Sequence, residues 1–148
     1  MNRIAASATA AVMLSSSALA APPQYFPAPA RQGVPAPFST AVQVGDVLYM
    51  SGQIGVGPDG KLPDTFDGQA KQVMENVGGV LKAHGLGWGN VVKCTVMIAD
   101  MKNWPAFNSV YVPYFPAGKL PARSAFGANG LALGAQLELE CLAYAGKK

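Results

Sequence analysis

Arg123 and Glu138 are the residues of this sequence whose types and settings best suit chemistry. Arg123 stands beside Pro121 and Ser124 at the start of an apolar strand. Its planar guanidinium could meet both oxygens of a carboxylate at once, although an arginine at a strand start is more often a surface residue. Glu138 alternates with leucine in Leu137-Glu-Leu-Glu140. It could serve as a base, or as an ion-paired or hydrogen-bonded carboxylate within the sheet. His84, the one histidine, falls at the end of a helix, where an imidazolium favours the negative end of the helix dipole. A Ser-His or Cys-His pair would have to use it, and no serine elbow precedes a helix. Neither Gly127–Gly134 nor Gly55–Gly60 matches a dinucleotide fingerprint. Cys94 and Cys141 have no Cys-x-x-Cys partner and no nearby histidine, so metal and redox motifs are absent.

The elements that must position these residues follow from apolar periodicity. Ala41–Val44 and Val47–Met50 read as a hairpin around Gly45-Asp46, with Ser51–Ile54 continuing the second strand. Gly55–Asp67 is a loop. Ala70, Val73, Met74, Val77, Val80, Leu81 and His84 recur at helical spacing, and Gly85 supplies a stop. Gly78-Gly79 inside this helix implies close packing against a sheet, since mid-helix glycine costs about 1 kcal/mol. Val91–Ala99 is a strand whose face carries Val92, Cys94, Val96 and Ile98. Asn103 and Pro105 open a second helix with Trp104, Phe107, Val110, Tyr111 and Tyr114 on one stripe. Strands at Ala122–Gly127 and Gln136–Tyr144 follow, separated by the glycine-rich loop Ala128–Ala135. Two amphipathic helices over one mixed sheet give an α+β fold. Glu138 and Glu140 point to the sheet's second face, which must also find cover.

Met1-Asn2-Arg3, an apolar run from Ile4 and an Ala18-Leu19-Ala20 ending have the form of a secretory signal peptide cleaved after Ala20. The run is shorter than the ~20 residues of a membrane span. A periplasmic or secreted location is expected, with no membrane attachment after cleavage. Cleavage would leave 128 of the 148 residues and, with Arg3 gone, a charge of +2 in place of +3. One domain of ordinary size fits this length, running from 38 to 148. Before it, residues 21–37 are rich in proline and alanine and read as an extended lead-in or mobile arm. Such a small charge excess, with no basic-aromatic stripe, argues against nucleic acid as a partner. Charged residues are only 13% of the chain, which suggests surface covered in an oligomer. Both cysteines sit in central apolar strands, so buried free thiols are expected over a disulfide, which an oxidising compartment would allow.

Ser51-Gly-Gln-Ile54, Asn108 within Phe107-Asn-Ser-Val-Tyr111, Pro121-Ala-Arg-Ser124 and Leu137-Glu-Leu-Glu140 occur in order along the chain. Together they resemble the RidA/YjgF family of reactive-intermediate deaminases, also labelled endoribonuclease L-PSP, from about Pro35 to Ala143. The resemblance implies a chorismate-mutase-like α+β fold, a homotrimer with sites between subunits, and no metal or organic cofactor. It further implies hydrolysis of enamine/imine intermediates such as 2-aminoacrylate and 2-iminopropionate to a 2-oxo acid and ammonia. By motif, Arg123 would hold the substrate carboxylate and Glu138 would position or activate water. Ala125 would offer backbone groups to the substrate nitrogen, while Ser51, Gly52 and Asn108 would line the cleft. Phe38 stands at the cleft mouth where the family often has tyrosine, and Ala125 where many members have cysteine. Gly127 replaces an often acidic residue, and the loop before Pro121 is short. The alternative reading is a noncatalytic trimer that binds a small carboxylate in the same cleft.

Overall fold

The leucine–glutamate alternation makes the last strand the spine of the molecule. β7 (Leu137–Tyr144) buries Leu137, Leu139, Cys141 and Ala143 on one face. The computed structural model describes residues 21–30 and 33–146, so the signal-peptide reading of residues 1–20 lies outside it. The other strands are β1 (Gln24–Pro27), β2 (Ser39–Val44), β3 (Val47–Met50), β4 (Gln53–Ile54), β5 (Val91–Ile98) and β6 (Ala122–Gly127). They form one mixed sheet in the order β1-β2-β3-β7-β5-β6, with β4 also on β7. Only β5 and β6 run parallel, joined through α2 (Trp104–Tyr111).

The longer helix, α1, spans Phe66–Ala83. Thr65 caps it by accepting from Gly68 N, and Gly85 stops it at φ +69. Ala70, Val73, Met74, Val77, Val80 and Leu81 are buried, as the periodicity required. His84 keeps the structural part read for it: Nδ1 lies 2.8 Å from the Val80 carbonyl, and the ring meets Phe26 edge-on at 4.4 Å. Both helices cover the same face of the sheet, and the core lies between.

The structure corrects several expectations. Within the lead-in, Gln24–Pro27 does not hang free, because β1 pairs antiparallel with β2 from Gln24↔Gln43 to Pro27↔Ser39. Ser51–Ile54 does not simply continue β3: after Ser51-Gly52 the chain re-pairs as β4 on β7. Gly78-Gly79 does not pack on the sheet. Gly78 faces the Trp88 indole and nothing lies within 4 Å of a Cβ at Gly79. Val92 does not share the buried face of Cys94, because a register shift between Val91 and Lys93 turns it outward.

Cys94 and Cys141 are bonded to one another, where free thiols were expected. They are direct partners across the antiparallel β5–β7 pair, both on the buried face, with Cα atoms 4.1 Å apart. That separation belongs to the close, non-hydrogen-bonded kind of pair. Strand patterns give the face of each cysteine but not the register that makes them opposite.

The second face carries Val42, Tyr49 and Leu142 in one row across three strands. Tyr49, Phe126 and Tyr144 remain nearly half exposed there.

Candidate functional site

In a parallel pair, residues in register point the same way. Arg123 is in register with buried Cys94, and Ala125 with buried Val96. Arg123 therefore rises on the helix-covered face, where α2 meets it. Its guanidinium carbon lies 4.4 Å from the Trp104 ring centroid and 4.6 Å from that of Tyr111. These rings attract the cation through its flat face. Among the described residues, Nη1 is buried without a hydrogen-bond acceptor.

Arg123 and Ala125 line an open depression of ≈ 500 Å³ with Trp104, Tyr111, Leu120 and Pro121. Asn108 comes from the same helix as the two rings, and its Oδ1 is also buried and unpartnered, as is the Tyr111 hydroxyl. Burial pushes the Tyr111 pKa up to about 12, against a smaller opposing pull from Arg123. The phenol is thus a neutral O–H at physiological pH. Unpaired buried polar groups are costly, and the cation among these suits an anionic ligand.

Glu138 belongs to a separate group. It is the register partner of Met97 and alternates with buried Leu137 and Leu139, so it leaves the opposite face of the sheet. Gly52 lies against it so closely that a Cβ at position 52 would fall on the Glu138 carboxylate. Ser51 precedes that glycine and donates Oγ–H to the Ser39 carbonyl at 2.6 Å, fixing the turn between β3 and β4. Burial, with a lesser push from the Glu140 charge, raises the Glu138 pKa above the usual carboxylate value. Phe38, just before β2, is 58% exposed.

The expected residues therefore fall into two half-sites. Arg123, Ala125 and Asn108 lie with α2 on one face, while Glu138 and Gly52 meet on the other, next to Ser51. By periodicity alone Trp104 and Tyr111 read only as an apolar stripe. The signal that could have found them was two aromatics on the helix that links β5 to the strand bearing Arg123.

The family described as Endoribonuclease L-PSP matches residues 29–145. A mouse protein named 2-iminobutanoate/2-iminopropanoate deaminase is 44% identical over 112 residues, covering 74% of this chain and 82% of its own. The crystal structure of RidA from an Antarctic Psychrobacter superposes with a TM-score of 0.71 at 35% identity, covering 82% of this chain and 96% of that one. That of the YjgF gene product of E. coli gives 0.72 at 33%, covering 80% and 94%. With its motifs in order and its strands in this topology, the chain belongs to the Endoribonuclease L-PSP family, the RidA/YjgF group of proteins.

Proposed function

We propose that this chain hydrolyses short 2-imino acids and their enamine tautomers to 2-oxo acids and ammonia, in a homotrimer whose sites lie between neighbouring copies. The observation that carries the reading is the split of the motif residues into two half-sites on opposite faces of one sheet. One half offers a cation whose Nη1 has no acceptor among the described residues, and the other a carboxylate of raised proton affinity. The mouse relative's name supplies the substrate class. The half-exposed Tyr49, Phe126 and Tyr144 provide apolar surface for neighbouring copies to cover, and a threefold ring joins unlike faces of successive copies.

In this reaction Arg123 binds the carboxylate and thereby fixes the C=N carbon. Glu138 of a neighbouring copy takes a proton from water as its oxygen bonds to that carbon. The C=N electron pair moves to nitrogen, which takes up a proton from solvent. The carbinolamine then collapses: its hydroxyl proton passes to solvent water, C=O forms, and nitrogen leaves as ammonia with the proton returned from Glu138. The noncatalytic alternative uses only the Arg123 half.

We also propose an oxidising compartment, periplasmic or extracellular, for this protein. The signal-like N-terminus supports it, and so does a disulfide in the core, since such bonds persist where thiols are not kept reduced. There, imino acids released by exported amino-acid oxidases or dehydrogenases would be available.

The deaminase reading is tested by generating imino acids with an amino-acid oxidase and trapping survivors with semicarbazide. Purified protein should lower the semicarbazone yield; an undiminished yield rejects the reading for those substrates.

A further inference from the structure

An arginine in a binding site is commonly held by a carboxylate, which occupies its N–H edge and cancels its charge. Arg123 is held differently. Two ring faces lie at 4.4 and 4.6 Å from its central carbon, and its Nη1 has no acceptor among the described residues. A ring quadrupole attracts a cation without taking up any N–H as a hydrogen-bond donor.

The rings are themselves anchored. Trp104 stacks with Phe107 at 6.2 Å, Phe107 meets Tyr111 at 5.3 Å, and Tyr111 meets Phe115 at 4.6 Å. Phe107 is fully buried and Tyr111 nearly so. This chain of rings runs from the depression into the core, so the guanidinium is positioned before any ligand arrives, with Nη1 left without an acceptor among the described residues.

Resting on the reading of Arg123 as the carboxylate anchor, we propose that the ring faces of Trp104 and Tyr111 are its positioning elements, in place of a carboxylate partner. They act on binding rather than on the chemical step. Removing either face should therefore raise KM and leave kcat in place.

The test compares Trp104→Leu and Tyr111→Leu with Trp104→Phe and Tyr111→Phe in the full chain. Two readouts are taken: steady-state kinetics on oxidase-generated imino acid, and calorimetric affinity for 2-oxobutanoate. Each leucine variant should weaken 2-oxobutanoate binding and raise KM about tenfold, with kcat within about twofold. Each phenylalanine variant should stay within about threefold of wild type, because a π face remains. Leucine variants that bind like wild type overturn the proposal. So do phenylalanine variants that lose as much as the leucine ones, since packing or the Tyr111 hydroxyl would then be responsible.

Should a leucine variant fail to fold, Trp88→Phe leaves Trp104 as the sole tryptophan. Its emission should change on saturation with 2-oxobutanoate, and an unchanged emission with ligand bound overturns the cradle. Ring-dependent binding without imine turnover sinks the deaminase reading and spares the cradle; turnover with a ring-independent KM does the reverse. A wild type that neither binds 2-oxobutanoate nor turns over imine overturns both.

Discussion

Arg123 and Glu138 leave the same sheet from opposite faces. The arginine is in register with buried Cys94 and reaches the α2 rings, whereas the glutamate alternates with buried leucines and meets Gly52 on the far side. No side-chain rotation within one chain unites them, because the sheet itself stands between. On the proposed reading, a site that uses both draws them from two copies.

Subunit mixing tests this directly. Arg123→Ala and Glu138→Gln should each cut kcat/KM by about a hundredfold, given the worth of a charge-assisted contact and of a general base. Refolding the two inactive variants together should restore about a quarter of wild-type activity, as random pairing in a ring of unlike contacts leaves that share of sites intact. No recovery from folded mixed oligomers would place both residues in one copy's site.

The Glu138 carboxyl holds its proton more tightly than usual, first through burial and then through Glu140. As the base, it should make kcat rise with pH through that raised pKa. Glu140→Gln removes the smaller cause, so the acid limb of the pH profile should move to lower pH without reaching an ordinary carboxylate's position. The stability contribution runs the other way. Native protein binds more protons than unfolded protein between the two pKa values, so the contribution is complete below the unfolded pKa and lost as pH rises through the folded one. In Glu138→Gln, urea melts across that window should lose this pH-dependent step.

Gly52 is needed for space. Its φ is ordinary, but a Cβ would displace the tip of the Glu138 side chain. That tip is flexible, so Gly52→Ala should change stability by less than about 1 kcal/mol while lowering kcat at least tenfold. Thermal melts and single-turnover rates measure the two effects, and a fully active variant would show that Glu138 works from another position.

The Cys94–Cys141 bond closes a loop of sequence separation 47 and ties β5 to β7 beside the Arg123 strand. Thiol titration of unfolded, unreduced protein should find no free thiol. Cys94→Ala combined with Cys141→Ala should lose roughly 2–4 kcal/mol in urea unfolding. Two titratable thiols in protein isolated from its native compartment would count against both the bond and the oxidising location.

Much of this protein was legible in its sequence, for local reasons. Helical and alternating periods depend on which residues face a core, so α1, β5 and β7 could be read within a few residues. The ordered motifs gave the family, and with it Arg123 and Glu138. What stayed hidden were relations between elements. The bond between the cysteines depends on β5–β7 register, and the outward turn of Val92 on a one-residue shift in that register. β1 forms because the proline-rich lead-in finds an open edge on β2. Trp104 and Tyr111 looked like core residues because periodicity reports burial, not what a ring is buried against. The sequence by itself determined which residues could bind an acid and move a proton. Only the tertiary structure decided that they stand on opposite faces of one sheet, because facing is fixed by pairing across strands that are distant along the chain.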